Sequence, residues 1–242
     1  MVTVALTAAG RGIGLELVKQ HLAAGDRIFA LVRNPEGAKE LNELASGSSG
    51  RLTIHKMDVA DPVSVAEGAA STGGDPIDIL YNVAGYAGVA EPEVESTDWV
   101  VFDEVFDVNV KAPLRVLQAF LPRLGKGSKV INFASQLGAS TWPYGGFDAY
   151  CAAKASLGRL MRGMAMNLKD REIIVGIVHP GWVQTDMGGK TRAPDSPNLG
   201  VQSILWLATA EAPPTGAFVE RAPGVELPPG MVGLASQNLL EL

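Results

Sequence analysis

The chain has 242 residues, of which 47% are hydrophobic and 19% are charged, and its 20 lysines and arginines against 26 acidic residues give a formal net charge of −6 at pH 7. This composition supplies a large apolar core and excludes disorder as the main state, while the acidic excess disfavours nucleic acid and anionic membranes, which attract clustered positive charge. The single cysteine, Cys151, excludes an internal disulfide framework and a cysteine-built zinc site, and the three scattered histidines form no metal-binding motif.

The N-terminus begins with an apolar stretch at 2–6 that no basic residue precedes, which disfavours a signal peptide. No apolar run approaches the roughly 20 residues that a membrane-spanning helix needs. We therefore expect a soluble, cytoplasmic protein with neither a membrane nor a nucleic acid as partner.

Short apolar runs alternate with amphipathic segments through most of the chain. The predicted strands are 2–7, 27–32, 52–57, 77–81, 129–134 and 173–178. The predicted helices are 15–22, a weaker candidate around Ala66, 105–121 and 150–168. Continuous rather than alternating apolar strands are typical of a parallel sheet that helices cover on both faces. The pattern predicts one α/β domain over 1–242, a Rossmann-type doubly wound parallel sheet with helices on both faces.

A glycine-rich turn at 7–14 follows the first strand and precedes a helix. Its glycines, Gly10, Gly12 and Gly14, are two residues apart, so the turn does not match G-x-G-x-x-G. Glycines at such a junction allow the backbone to approach a pyrophosphate, and the helix N-terminus supplies free N–H groups. The alternative is an ordinary loop between strand and helix.

Polar residues also end the later strands, at the edge of the sheet where open α/β proteins bind ligands. Asp58 follows the third strand and 82–85 (Asn-Val-Ala-Gly) the fourth; alone, Asp58 is better explained as a helix N-cap, and 82–85 as a turn. Ser135 follows the fifth strand, and 179–185 follows the sixth.

Tyr150 and Lys154 lie four residues apart and therefore share one helix face. A nearby ammonium stabilises a phenolate and lowers its pKa, which proton transfer to or from an alcohol oxygen requires. Taken alone, the pair is better explained as part of an amphipathic helix with a lysine that reaches solvent.

Taken in order, these residues resemble the motifs of the short-chain dehydrogenase/reductase family, in its single-domain branch, from about residue 2 to 187. The glycine-rich turn falls on 7–14, N-N-A-G on 82–85, Y-x-x-x-K on Tyr150 and Lys154, and P-G-x-V-x-T on 180–185. Within the family, 179–189 and the two glycines at 145–146 resemble the C-factor-like carbonyl reductases.

The resemblance implies an NADP-dependent carbonyl reductase or alcohol dehydrogenase that transfers a hydride between NADP(H) and a small carbonyl or alcohol. Its catalytic tetrad falls on Asn109, Ser135, Tyr150 and Lys154. Tyr150 exchanges the proton, Ser135 holds the substrate oxygen, and Lys154 bonds the nicotinamide ribose and lowers the pKa of Tyr150. Asn109 holds a water that links Lys154 to solvent.

The other implied site residues lie along the same edge of the sheet. Those expected to bind the cofactor are Thr7, Gly10, Arg11, Gly12, Ile13, Gly14, Arg33, Asp58, Val59, Asn82, Ala84, Gly85, Tyr150, Lys154, Pro180, Gly181, Val183 and Thr185. Those expected to face the substrate are Gln136, Leu137, Trp142, Phe147 and Trp182, a set that favours an aromatic or cyclic ketone over a sugar; some of them have loop packing as the alternative.

Three departures from the family pattern stand out. Ala8 replaces the first motif glycine, which reduces cofactor affinity unless the backbone φ there is negative. Val83 replaces the second Asn of N-N-A-G and removes a polar contact between strands. Ser135 precedes Tyr150 by two residues more than is common in the family, which leaves Ser140 as a rival for the catalytic serine; Ser135 is preferred because it directly follows the strand.

The end of the second strand predicts the cofactor. In this fold an acidic residue there binds the 2′-OH of NAD, whereas an arginine accommodates the 2′-phosphate of NADP. The chain has Val32 and Arg33 there and no acid before Glu36, and Arg11 is close enough in the turn to add a second guanidinium. We expect NADP(H) rather than NAD(H), the alternative being that Arg33 is a solvated charge at a strand end.

Two alternatives to a reductase function are possible on the same fold. A catalytically silent nucleotide-sensing or scaffold protein on the same fold would explain Ala8 and Val83, but it would need none of the tetrad. An epimerase or dehydratase usually needs a larger substrate domain.

We further expect a substrate lid loop at 186–200, rich in Gly and Pro, and a homodimer or homotetramer through the helices that carry Asn109 and Tyr150.

Overall fold

The computed structural model describes residues 1–89, 94–140, 142–211 and 213–220. Its centre is a seven-stranded parallel sheet in the order β3-β2-β1-β4-β5-β6-β7. The strands are β1 (Thr3–Thr7), β2 (Arg27–Val32), β3 (Leu52–Lys56), β4 (Ile79–Asn82), β5 (Lys129–Phe133), β6 (Ile174–Val178) and β7 (Phe218–Val219). The strand order reverses between β1 and β4, and in such sheets the reversal opens a crevice for ligands at the carboxyl ends of the strands.

Helices cover both faces of this sheet. They are α1 (Gly12–Ala23), α2 (Lys39–Ser46), α3 (Pro62–Ser71), α4 (Trp99–Phe106), α5 (Ala112–Phe120), α6 (Asp148–Asn167) and α7 (Pro197–Thr209). One apolar core lies between the sheet and α3, α5 and α6, and a second lies between the sheet and α1, α2 and α7. The doubly wound α/β fold is therefore confirmed. None of the helices in these ranges is both long and apolar enough to cross a membrane.

The predicted strands agree with the observed ones to within two residues, and the weak helix around Ala66 is confirmed as α3. The pattern missed α2, which buries only Leu41, and β7, which is two residues long. It also missed α7: Ser196 caps this helix and Pro197 begins it, so the predicted loop at 186–200 is wrong at its C-terminal end. Prolines in the first turn of a helix resemble a loop in composition.

The predicted helix 105–121 covers the last two residues of α4, a π segment at Asp107–Lys111 and α5, and it misses the first six residues of α4. Apolar periodicity does not report the one additional residue in a π turn, so the pattern could not show this division.

Side chains at the carboxyl ends of β1, β4 and β5 tie these strands together. The Thr7 hydroxyl accepts hydrogen bonds from the Val83 and Ala84 amides at 3.0 and 3.1 Å. Asn82 Nδ2 donates to Asn132 Oδ1 at 2.9 Å, and both side chains are buried. These hydrogen bonds join the carboxyl ends of the three strands, and Val83 takes part in them through its backbone amide.

Candidate active site

The glycine-rich turn is tight at the positions that carry glycine. A Cβ at Gly14 would lie 2.3 Å from the Ala8 carbonyl oxygen, and Gly12 has a φ of +55°, a left-handed conformation that favours glycine. Helix α1 begins at Gly12, and no side-chain hydrogen bond caps it at Arg11. The N–H groups of its first turn therefore receive no side-chain hydrogen bond from the N-cap and can bind an anion.

Ala8, which replaces a family glycine, has a φ of +54°. The condition under which alanine would be accepted without cost, a negative φ, is not met. An L-residue in the left-handed region costs roughly 1–2 kcal/mol relative to the right-handed one. The substitution thus places strain in the turn itself.

Ala8→Gly is expected to raise the free energy of unfolding by about 1 kcal/mol or less, because relief of this strain exceeds the roughly 0.5–1 kcal/mol that glycine costs in chain entropy. Urea titration measures the change. The matched control is Ala24→Gly, at an exposed position with a φ of −74°, where the same substitution is expected to destabilise the protein. Equal destabilisation by both variants would contradict the strain at Ala8.

Arg33 lies exposed just after the carboxyl end of β2 and forms no ion pair with any residue of the described ranges. Asp58 is not the N-cap of α3, because that position belongs to Asp61. The Asp58 carboxylate instead accepts a hydrogen bond from the Ala60 amide at 3.0 Å, at the end of β3. The N-cap alternative for Asp58 is therefore wrong.

Arg11 does not point to Arg33 but pairs with Asp186, on the segment after β6, at 2.8 Å. Thr185 lies against the same turn, with its Cγ2 3.0 Å from the position of a Cβ at Gly12. Val183 is buried, whereas Pro180 and Gly181 are partly exposed. The predicted 180–185 motif thus adjoins the glycine-rich turn, and the sequence did not indicate the pairing of Arg11 with Asp186.

Ser135, Tyr150 and Lys154 come together at the carboxyl end of β5. Ser135 is buried, and its hydroxyl forms a side-chain hydrogen bond with Tyr150. Lys154 Nζ lies 5.3 Å from the centre of the Tyr150 ring and donates to the Phe133 carbonyl at 2.6 Å. The rival Ser140 is exposed, so the structure brings Ser135 and not Ser140 into this group.

Burial governs the titration of this cluster. Burial raises the pKa of the Tyr150 hydroxyl to about 12, although the hydrogen bond with Ser135 acts in the opposite direction. Burial also lowers the pKa of the Lys154 ammonium to about 7. The Tyr150 pKa is therefore raised and not lowered as we expected from Lys154, because desolvation of the phenolate is the largest influence on it.

Asn109 lies in the π segment and completes the cluster. Its Nδ2 donates to the carbonyls of Tyr86 and Val105 at 2.6 and 2.8 Å, and its Oδ1 accepts from the Tyr86 amide at 3.4 Å. A Cβ at Gly85 would lie 3.2 Å from Asn109 Oδ1 and 3.8 Å from Lys154 Nζ. Gly85 thus leaves open the space beside both polar groups.

The residues expected to face a substrate differ in their exposure. Leu137 and Trp142 are partly buried, whereas Phe147 and Trp182 are 39% and 49% exposed. Gln136 Nε2 donates to the Glu220 carboxylate, so this amide already has a hydrogen-bond partner within the protein. Trp182 Nε1 likewise donates to the Gly188 carbonyl at 2.7 Å.

Sequence reasoning missed Asn132, which binds Asn82 and thereby joins β4 to β5. The available signal was a single amide in the otherwise apolar run 129–134. It also missed Arg115, which joins the end of β3 to the π segment.

Comparison with known proteins places this geometry among described families. The family model of the short chain dehydrogenases matches residues 2–196. An uncharacterized oxidoreductase of Schizosaccharomyces pombe is 35% identical over 187 residues, which are 75% of this chain and 73% of the relative. The C-signal protein of Myxococcus xanthus is 38% identical over 129 residues, covering 50% of this chain and 76% of the relative.

Solved structures show the same architecture. The NADPH-bound carbonyl reductase from chicken fatty liver superposes with a TM-score of 0.82 at 32% identity, over 91% of this chain and 96% of that one. The carbonyl reductase Sniffer of Drosophila melanogaster has a TM-score of 0.83 at 27% identity over the same shares of the two chains.

Proposed function

The chain belongs to the short-chain dehydrogenase family and is an oxidoreductase, and from this premise we propose that it transfers a hydride between NADP(H) and a small carbonyl or alcohol. The observation that carries the proposal is the meeting of Ser135, Tyr150, Lys154 and Asn109 at one edge of the sheet. A protein that only binds a nucleotide has no need of this arrangement.

The groove fits a dinucleotide phosphate. Gly14 lets the start of α1 pack closely against the Ala8 carbonyl, and Gly12 has a left-handed conformation beside Thr185, so the turn is tight where the α1 N–H groups would bind a pyrophosphate. Arg33 is exposed and forms no ion pair within the described residues, so it can bind a 2′-phosphate, while Lys154 and Gly85 adjoin the opposite end. Crystal structures of relatives contain NADPH or NADP, which supports the same choice here. When bound, the cofactor supplies or accepts the hydride.

In the direction of reduction, Tyr150 donates its proton to the substrate oxygen as negative charge develops there. Its raised pKa keeps the phenol protonated at neutral pH, as a proton donor requires. The Ser135 hydroxyl, already bonded to Tyr150, binds the same oxygen and orients the carbonyl.

Lys154 restores the proton that Tyr150 loses. With a pKa of about 7, the ammonium is close to half protonated at neutral pH and exchanges its proton readily. Its Nζ lies 5.3 Å from the centre of the Tyr150 ring. Asn109 lies beside the same space and holds the water through which Lys154 reaches solvent.

The substrate we propose is an apolar, aromatic or cyclic ketone. Leu137, Trp142, Phe147 and Trp182 supply apolar surface near the tetrad, and Trp142 makes an edge contact with Tyr144 at 5.6 Å between ring centres. Asp186 pairs with Arg11 of the glycine-rich turn, and we expect residues 186–196 to serve as the lid. We also expect the protein to be cytoplasmic and to form a homodimer or homotetramer.

The test is consumption of NADPH with a panel of aldehydes, aromatic ketones, cyclic ketones and diketones. We expect turnover of at least one aromatic or cyclic ketone. Tight binding of NADPH, measured by fluorescence, with no turnover across the panel would favour the alternative of a nucleotide-sensing or scaffold protein.

A further inference from the structure

An ion pair spans the π segment that carries Asn109. Arg115, in α5, donates to both carboxylate oxygens of Asp107, from Nη1 at 2.9 Å and from Nη2 at 2.7 Å. Such bidentate pairs are geometrically specific as well as strong. Both side chains are 23% exposed, so solvent screens this pair less than a pair on the open surface.

The spacing of Asp107 and Arg115 along the chain distinguishes a helix with a π turn from an uninterrupted α-helix. One α turn has 3.6 residues and a π turn roughly one more, so about eight residues complete two turns when one of them is a π turn. Asp107 and Arg115, eight residues apart, therefore lie on one face. In an uninterrupted α-helix the same spacing would leave them about 80° apart around the axis, because each residue turns the chain by about 100°. The ion pair thus favours the π conformation over the α conformation.

Arg115 also reaches the cofactor side of the groove. Its Nη1 donates to the Ala60 carbonyl at 3.2 Å and to the Val59 carbonyl at 3.5 Å. These carbonyls follow Asp58 at the end of β3, on the segment that we expect to bind the cofactor. One guanidinium therefore contacts the cofactor loop and the π segment at the same time.

We propose that Arg115 is a positioning residue which, through Asp107, selects the π conformation that places Asn109 beside Lys154 and couples it to the Asp58–Ala60 loop. The expected effect of Arg115 on catalysis rests on the proposed function. The hydrogen bond from Arg115 and its charge hold the pKa of the Asp107 carboxyl below its usual value, so the pair stays charged at neutral pH. Lys111 contributes in the same direction from 3.5 Å but is 62% exposed.

The experiment compares Arg115→Met, Arg115→Lys and the matched control Lys111→Met. Lys111→Met removes a positive charge beside the same carboxylate but leaves the two-turn contact in place. We expect Arg115→Met to lower kcat by about tenfold or more, since small misplacements of catalytic groups have effects of this order or larger. The KM for NADPH should rise because the Val59 and Ala60 carbonyls lose their donor. Arg115→Lys, which cannot bond both carboxylate oxygens, should recover only part of kcat, and Lys111→Met should leave both parameters near wild type.

Hydrogen exchange at the Tyr86 amide gives a readout that does not depend on turnover. This amide donates to Asn109 Oδ1, so loss of the π conformation should accelerate its exchange in Arg115→Met and not in Lys111→Met. Unchanged exchange together with unchanged kcat in both Arg115 variants would overturn the proposal. General loss of structure is recognised by an equal increase of exchange in the central strands.

A double-mutant cycle with Asn109→Ala separates positioning from stability. If Arg115 acts through Asn109, Arg115→Met should have little further effect on kcat in the Asn109→Ala background. Fully additive effects would overturn the coupling. If Asn109→Ala itself leaves kcat unchanged, the proposed role of Asn109 in the reaction fails, whereas the exchange at Tyr86 still decides whether Arg115 holds the π segment.

Discussion

Replacing Tyr150 with phenylalanine is expected to lower kcat by about 10²–10⁴-fold, the usual contribution of general acid–base catalysis. The substitution removes only the hydroxyl that bonds to Ser135, so the ring still packs beside Lys154. NADPH binding and the fold should be retained. Steady-state kinetics measure the loss, and fluorescence titration with NADPH measures the binding.

The control for Tyr150→Phe is Tyr81→Phe, which removes another tyrosine hydroxyl. Tyr81 is fully buried in β4, and its hydroxyl lies 3.0 Å from His21 Nε2, in the core on the α1 side of the sheet. This variant should lose stability by roughly 1–3 kcal/mol, since it leaves a buried partner unpaired, and should keep its kcat. A Tyr150→Phe enzyme that kept more than a tenth of the wild-type rate would show that Tyr150 is not the proton donor.

The sequence predicts those parts of the fold and the site that follow from local geometry. The doubly wound parallel sheet, and with it the position of residues such as Ser135 and Asn82 at one edge, follows from short apolar runs that alternate with helices, because the carboxyl ends of parallel strands meet at one edge. A residue four positions after Tyr150 must share its helix face. Predictions of this kind depend on local geometry, and the structure agrees with them.

Features that depend on backbone conformation or on long-range charge contacts were not predictable. Nothing in the residue pattern indicates that Ala8 has a positive φ or that the helix around Asn109 contains a π turn. Arg11 and Asp186 are 175 residues apart, so only the folded chain reveals that they pair. The titration of Tyr150 was also not predictable, because burial reverses the direction expected from Lys154 alone.

Arg33 is expected to give the enzyme a preference for NADP(H) over NAD(H) of at least about tenfold in kcat/KM. A hydrogen bond to a charged group contributes roughly 1.5–3 kcal/mol, which at about 1.36 kcal/mol per factor of ten corresponds to discrimination of about 10- to 150-fold. Arg33 is exposed at the end of β2, and no acidic residue follows before Glu36. Arg11 is paired with Asp186, whereas Arg33 forms no ion pair within the described ranges and can bind a 2′-phosphate.

Arg33→Asp should abolish or reverse this preference, because the new carboxylate repels the 2′-phosphate and accepts a hydrogen bond from the 2′-OH of NAD. The matched control is Lys126→Asp, which makes the same change in net charge at an exposed position in the turn before β5, at the amino edge of the sheet. Kinetics with both cofactors and one ketone decide the outcome: the control should keep the wild-type ratio, and added salt should reduce that ratio by screening the phosphate. A wild type that favours NADH, or an equal change of ratio in both variants, would show that Arg33 does not select the cofactor.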